Sequence, residues 1–339
     1  MKILSIILGY LSATFIHEIT HFITFRLRRI KIRALYIWPL ILYKKDNKWH
    51  FKFRQINALT FGGIVIPDLH IIENDNALNR IRKDFEAVMI VAPITSILFN
   101  IIVGLLYFVD YGELKLVGLF YFIGVSMCTV FITLTSWAKG NGMYGDYAAY
   151  IMLRKDKGFA TYVAYQYMCF SSEYQKEAHS FIRNKVLEGI KEAYNREYFG
   201  DIILDCVNTL ITEYLTGKIK TMPVVAQQYI ILISKKYRQL LIYKNSEILR
   251  ILLYNLVPYF SRGLKDNSNA IKIHYYLDQY IYTKNKVCIY YHKRNQHILG
   301  LENFLAYLKQ PKNIINGILY QLINLFDEYY EDEWDIIGI

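Results

Sequence analysis

Long apolar runs are concentrated in the first 153 residues of the chain. Three of them reach membrane length, at about residues 3–25, 85–109 and 116–137. A helix of about 20 apolar residues is long enough to cross a bilayer. The pattern therefore predicts an α-helical membrane protein with three transmembrane helices in a core of residues 1–153.

The stretch between the first two apolar runs has a different pattern. Within residues 34–54, aromatic and polar side chains alternate in the second half, and Asp46-Asn47 supplies a turn. Alternation of this kind is typical of a β-strand. We predict a small membrane-associated β-hairpin in a β-like segment of residues 34–66, with an irregular basic loop as the alternative. The paired glycines Gly62-Gly63 indicate a turn or a close backbone approach.

Residues 154–339 have no further membrane-length run and predict a mostly α-helical cytoplasmic domain. Apolar residues recur at helical spacing in 202–215, 224–233, 248–260 and 314–330. Breaks are expected at Gly217, Met222-Pro223, residues 263–269 and Gln310-Pro311. The histidines of this region are expected in loops and on polar faces: His179, His274, His292 and His297. His292 and His297 are five residues apart with no carboxylate set and are interpreted as surface residues.

Positive charge follows the first apolar run. The formal net charge is +11, and residues 26–54 hold ten Lys or Arg against Asp46 alone. Such a cluster beside a membrane helix marks the cytoplasmic side, which places the N-terminus outside the cell. From residue 154 onward 24 basic and 19 acidic residues nearly balance, so nucleic acid is not an expected partner.

The cysteines and the most abundant residue types indicate the cellular compartment and the type of organism. The four cysteines have no CxxC spacing, which indicates neither a disulfide framework nor a cysteine metal site. Abundant Lys, Ile, Asn and Tyr are typical of an AT-rich genome. We expect a multi-pass protein of a bacterial cell membrane, with the lipid bilayer as its surroundings.

The first apolar run contains candidate chemistry. Residues 17–21 read HEITH, and Glu18 is the only charged residue among the 23 positions 3–25. Histidines at i and i+4 share one face of a helix and can bind one metal ion. The intervening glutamate can take a proton from an attacking water. Ionisable residues are costly in hydrocarbon and are by default functional there, and the run is too long for a signal peptide.

Asp146 is the candidate for a third ligand. With the N-terminus outside, three spans return the chain to the cytoplasmic side near Lys139, the level at which HEITH lies in the first span. Two His nitrogens and one carboxylate oxygen form a standard catalytic zinc set. Alternatively, an aspartate after the glycine-rich residues 140–145 is a helix cap or a surface carboxylate.

Together these motifs resemble those of the site-2 protease family, which are intramembrane zinc metallopeptidases. The resemblance covers about residues 1–155 and rests on HEITH, Gly62-Gly63, Ala92-Pro93 with Asn100, and Gly145-Asp146. It implies a three-helix catalytic core in which His17, His21 and Asp146 bind Zn²⁺ and Glu18 is the general base. The family's Leu-Asp-Gly reads Gly145-Asp146-Tyr147 here, and no insertion of PDZ size is present, as in a compact divergent member.

The resemblance implies an endopeptidase that cleaves membrane-inserted peptides or single-span regulators. An extended substrate segment could add to an exposed edge of the hairpin at residues 34–54. Asn100 and Asn141 are candidates to hold the substrate backbone or the oxyanion, and the alternatives are a helix–helix hydrogen bond or a loop cap. The competing function is a catalytically silent zinc-fold membrane module that binds a peptide for export or immunity.

Overall fold

The chain forms two compact units, Met1–Ile182 and Arg183–Ile339. The computed structural model describes residues 2–45, 48–53, 62–107, 115–140, 143–168, 180–243, 246–279 and 286–308. Both units are mainly helical, and the first also contains a small sheet. The candidate chemistry of HEITH and Asp146 lies entirely in the first unit.

Three long helices dominate the first unit: α1 (Lys2–Leu27), α2 (Asp75–Tyr107) and α3 (Lys115–Ser136). Each is long and apolar enough to cross a membrane, in agreement with the three predicted spans. Helix α2 begins ten residues before the apolar run predicted from residue 85. The side chain of Asn74 accepts a hydrogen bond from the amide of Ala77 at 3.0 Å, and this N-cap starts the helix within the polar segment.

Glycines allow α1 and α3 to approach closely. A Cβ on Gly9 would lie 2.2 Å from the carbonyl oxygen of Tyr121, and one on Gly124 would lie 2.1 Å from that of Ile6. Small residues at such crossings let membrane helices pack backbone to backbone. Further along, Thr14 Oγ1 and Cys128 Sγ are 3.3 Å apart. The two helices therefore run in contact towards the end at which α1 carries HEITH.

Four antiparallel strands follow α1 in the order β3-β2-β1-β4. They are β1 (Lys31–Ile37), β2 (Leu40–Lys45), β3 (Lys48–Phe53) and β4 (Gly63–Asp68). The predicted β-like segment is thus a sheet rather than one hairpin, because β4 returns to pair with β1. Strand β3 is exposed along its whole length. The predicted turn at Asp46-Asn47 lies outside the described residues.

The first unit continues past α3 through a two-strand ladder, β5 (Lys139–Gly140) and β6 (Met143–Tyr144), into α4 (Asp146–Lys155) and α5 (Lys157–Met168). Both helices pack on α2. Arg82 donates a hydrogen bond to the Leu153 carbonyl at 3.3 Å, and the rings of Phe85 and Tyr167 are 5.5 Å apart. These contacts make α4 and α5 part of the first unit.

The second unit is built from helices around α9. The helices are α6 (Ser180–Asn195), α7 (Asp201–Leu215), α8 (Val224–Tyr243), α9 (Glu247–Pro258), α10 (Asn267–Asp278), α11 (Lys286–Ile298) and α12 (Leu305–Leu308). Nine of the twelve residues of α9 are buried, and it contacts α7, α8, α10 and α11. The helical patterns at 202–215, 224–233 and 248–260 fall in α7, α8 and α9 with the π-helical turn Tyr259–Gly263. The pattern at 314–330 lies outside the described residues.

Candidate metal centre

The centre starts from one turn of α1. His17 and His21 are four residues apart and therefore project from the same face of the helix. Their side chains are buried, with only 6% and 7% of each residue exposed. The two rings lie nearly perpendicular, with centroids 4.8 Å apart. This face of α1 thus presents two imidazoles towards one point.

Asp146 reaches the same point from the start of α4. Its Oδ2 atom lies 3.1 Å from Nε2 of His17 and 3.4 Å from Nε2 of His21. The structure thus brings the three residues proposed from sequence into one cluster and places a carboxylate oxygen beside two ring nitrogens.

A glycine before Asp146 explains how α4 reaches α1. A Cβ on Gly145 would lie 2.1 Å from the Thr135 carbonyl oxygen, so any side chain here would push α4 away from the end of α3. The amide of Gly145 also donates to the carbonyl of Ala138 at 3.0 Å. On the other side, the rings of Trp137 and Tyr147 stack with centroids 4.9 Å apart. These contacts fix the first turn of α4 and with it the carboxylate of Asp146.

Ser96 is a part of the centre that sequence reasoning missed. Its Oγ lies 3.0 Å from Nδ1 of His17, and the hydroxyl donates to the carbonyl of Ala92 at 3.1 Å. Because the hydroxyl hydrogen is used in that bond, the oxygen accepts from the protonated Nδ1 of His17. The lone pair of His17 is then on Nε2, the atom that faces Asp146. By contrast, Nδ1 of His21 is buried without a hydrogen-bond partner among the residues described.

Glu18 lies between the two histidines in the sequence, and β4 packs against it. The residue is 6% exposed. A Cβ on Gly63 would lie 2.3 Å from Cγ and 2.6 Å from Cδ of Glu18. The close backbone approach indicated by Gly62-Gly63 is therefore present at Gly63. Strand β4 consequently borders the carboxylate proposed as the general base.

The two asparagines proposed to position a substrate have different outcomes. The hydroxyl of Ser126 donates to Oδ1 of Asn100 at 2.9 Å, which joins α2 to α3. This is the helix–helix hydrogen bond that was the alternative interpretation of Asn100. A substrate role for Asn100 stays a prediction. Asn141 lies outside the described residues.

The donor set suits zinc. Imidazole nitrogens and a carboxylate oxygen are the ligands of many catalytic zinc sites, and one such atom from each of His17, His21 and Asp146 lies within 4.8 Å of the other two. Zinc needs neutral imidazoles, and the Ser96 hydroxyl holds His17 in the form that can bind. No other group of three such side chains was found among the described ranges.

Comparison with known proteins agrees with this site. The sequence profile of peptidase family M50 matches residues 5–328, nearly the whole chain. The chain belongs to this family, the site-2 proteases, which are zinc metalloproteases of membranes. The match continues far beyond residue 155, where the resemblance by motif ended. No curated protein and no solved structure matches the chain.

Proposed function

We propose that this chain is an active intramembrane zinc endopeptidase that hydrolyses peptide bonds of membrane-inserted peptides or single-span regulators. The proposal rests on one observation: Asp146 lies beside His17 and His21, and these two histidines belong to a membrane-length helix. Membership of family M50 supports the same chemistry.

The residues of the centre have separate roles in the proposed hydrolysis. His17, His21 and Asp146 would hold the zinc ion, which as a Lewis acid makes water nucleophilic near neutral pH and polarises the scissile carbonyl. Glu18 takes the proton from the attacking water and transfers it to the leaving amide nitrogen. Ser96 keeps the ring of His17 oriented throughout.

The buried glutamate favours an enzyme over a silent binding module. A carboxylate that is 6% exposed on an apolar helix carries a desolvation cost of several kcal/mol. A module that only binds a peptide gains nothing from a carboxylate at the position of the general base. Retention of Glu18 therefore supports catalysis.

The sheet offers a place for the substrate backbone. Peptide bonds in a transmembrane helix are protected by their own hydrogen bonds, so the substrate must unwind locally before cleavage. The sheet has two edges, β3 and β4, and it is β4 that contacts Glu18 through Gly63. The outer edge of β4 pairs with no strand among the described residues. We therefore propose that an extended substrate segment adds to β4 rather than to the hairpin at residues 34–54. Pro67 in β4 is typical of an edge strand.

The proposed orientation places the N-terminus outside and the second unit in the cytoplasm. The support is the excess of Lys and Arg in residues 26–54, which follows the first span. Under this orientation the HEITH end of α1 lies near the cytoplasmic face of the cell membrane.

A cleavage assay with an inactive variant tests the proposal. The purified chain is reconstituted with a set of single-span model peptides, and products are identified by mass spectrometry. We expect Glu18→Gln to keep its zinc content and to lose about 10²-fold or more of the cleavage rate. Equal cleavage by the wild type and by Glu18→Gln would show that Glu18 is not the general base.

A further inference from the structure

A large basic cavity lies where α1 ends and α2 begins. Its volume is about 860 Å³, and six cationic side chains line it: Arg28, Arg29, Arg80, Arg82, Lys83 and Lys157. Asp84 is the one acidic residue in the lining. None of these groups belongs to the proposed zinc centre. The cavity therefore needs an explanation of its own.

Only part of this positive charge is balanced within the protein. Arg28 pairs with Asp84 at 3.7 Å, and Arg82 pairs with Glu86 at 3.7 Å. The charge of Arg80 also acts on Asp84. Within the described ranges, three cations of the lining have no acidic partner: Arg29, Lys83 and Lys157. Clustered like charges repel one another, so this arrangement favours an anionic ligand that bridges them.

The end of α1 brings Arg29 to this cavity. Helix α1 ends with the amide of Ile30 bonded to the carbonyl of Phe25 at 2.9 Å and that of Arg29 to Arg26 at 3.0 Å. This terminal motif puts Arg29 in the left-handed region, with φ of 61°, a position that normally favours glycine. The side chain of Arg29 lines the basic cavity.

The position of the cavity relative to the membrane-length segments indicates where its anionic ligand comes from. The apolar run of α1 ends at residue 25, and the lining residues of α2 precede its apolar run, which starts near residue 85. The cations therefore lie at the boundary between the membrane-length segments and the polar chain. Leu27, which is 77% exposed, also lines the cavity and offers an apolar surface beside the charges.

We infer that this cavity binds the phosphate headgroup of an anionic phospholipid from the surrounding bilayer. Basic pockets beside transmembrane helices recognise such headgroups. The phosphate lies among Arg29, Lys83 and Lys157, and an acyl chain continues along the exposed apolar surface at Leu27. The lipid would hold α1 and α2 together at the end where α1 carries HEITH.

The test measures lipid binding to the full chain in a neutral detergent. Short-chain phosphatidylglycerol, short-chain phosphatidylcholine and inorganic pyrophosphate are titrated separately by calorimetry. We expect saturable binding of phosphatidylglycerol and none of phosphatidylcholine. Each lost cation should weaken binding about five-fold, so Lys83→Gln combined with Lys157→Gln should weaken it about 25-fold. The matched control, Lys139→Gln with Lys155→Gln, removes two exposed lysines outside the cavity and should leave the dissociation constant unchanged.

Arg29→Gly separates binding from stability. Glycine relieves the left-handed conformation, so the melting temperature without lipid should stay the same or rise, while phosphatidylglycerol binding weakens about five-fold. Equal weakening in the cavity and control pairs, or unchanged binding in Arg29→Gly, would show that only diffuse charge attracts the lipid. Binding of pyrophosphate with none of phosphatidylglycerol would identify a soluble phosphate ligand and overturn the lipid assignment.

Discussion

Ser96 Oγ lies 3.0 Å from Nδ1 of His17, so a hydroxyl on α2 sets the orientation of an imidazole on α1. The same hydroxyl donates to the carbonyl of Ala92 one turn back. The nitrogen of His17 that faces Asp146 is therefore the one with a free lone pair. The proposed zinc centre thus depends on all three membrane-length helices or their immediate continuations.

Replacement of Ser96 by alanine should weaken zinc binding. Loss of the hydroxyl removes the bond that fixes the tautomer and the ring orientation of His17, and such losses cost about 10- to 100-fold in metal affinity. Competition with a chromogenic zinc chelator measures the change. The control is Thr95→Ala, since the Thr95 hydroxyl makes a similar bond within α2, to the carbonyl of Val91, on an exposed face. Equal zinc affinity of Ser96→Ala and wild type would contradict the proposed role.

Gly63→Ala should impair catalysis without removing zinc. The new methyl group would overlap Cγ of Glu18, whose side chain must then move away from its present position. A displacement of about 1 Å can cost about 10²-fold in rate. The cleavage assay reports the rate, and metal analysis confirms the zinc content. Gly118→Ala is the matched control because a Cβ there meets nothing closer than 4.0 Å, and it should keep full activity.

The second unit should lose stability as the pH falls from about 6.5 towards 4. Burial and the nearby His292 lower the pKa of His274 to about 4, and burial also lowers that of His292. The unfolded chain, with histidine pKa values near 6.5, then binds more protons than the folded chain between these limits. The contribution of these neutral histidines to the free energy of unfolding is present in full above pH 6.5. As the pH falls below this value, it decreases by up to about 1.4 kcal/mol per pH unit for each proton.

Hydrogen exchange of α10 in the full chain, corrected for the intrinsic effect of pH, measures this loss. The imidazoles of His274 and His292 stack with centroids 4.8 Å apart, so His274→Phe keeps a ring in place while it removes one titrating group. We expect a smaller pH dependence in His274→Phe and an unchanged one in His297→Phe. An identical pH dependence in wild type and His274→Phe would refute the assignment. His274 itself is only 2% exposed and lies within α10, so the expectation that it occupies a loop or a polar face was wrong.

Features with a repeating period could be predicted from the sequence. The three membrane-length helices follow from the length of the apolar runs, and the shared face of His17 and His21 follows from the helical repeat. The approach of Asp146 could be expected because the number of crossings sets the side of the membrane to which the chain returns. These inferences require only local pattern and the bilayer as a constraint.

Features that depend on contacts between distant segments could not be predicted. Strands β1 and β4 pair although β2 and β3 lie between them in the sequence. The alternating pattern predicts a strand but does not specify which strand it pairs with. Ser96 carries no distinguishing pattern, since a serine within an apolar helix usually bonds to its own backbone. Asn100 stood out in sequence by its polarity, but the structure shows it bonded to Ser126.

The most direct test of the central claim is the zinc content per chain of the detergent-purified protein. The comparison is wild type with Asp146→Ala and with Asp156→Ala, which changes an exposed aspartate at the other end of α4. We predict about one zinc per chain in wild type and in Asp156→Ala, and loss or marked weakening in Asp146→Ala. No zinc in wild type after supplementation, or full zinc affinity in Asp146→Ala, would contradict the account of a centre shared by α1 and α4.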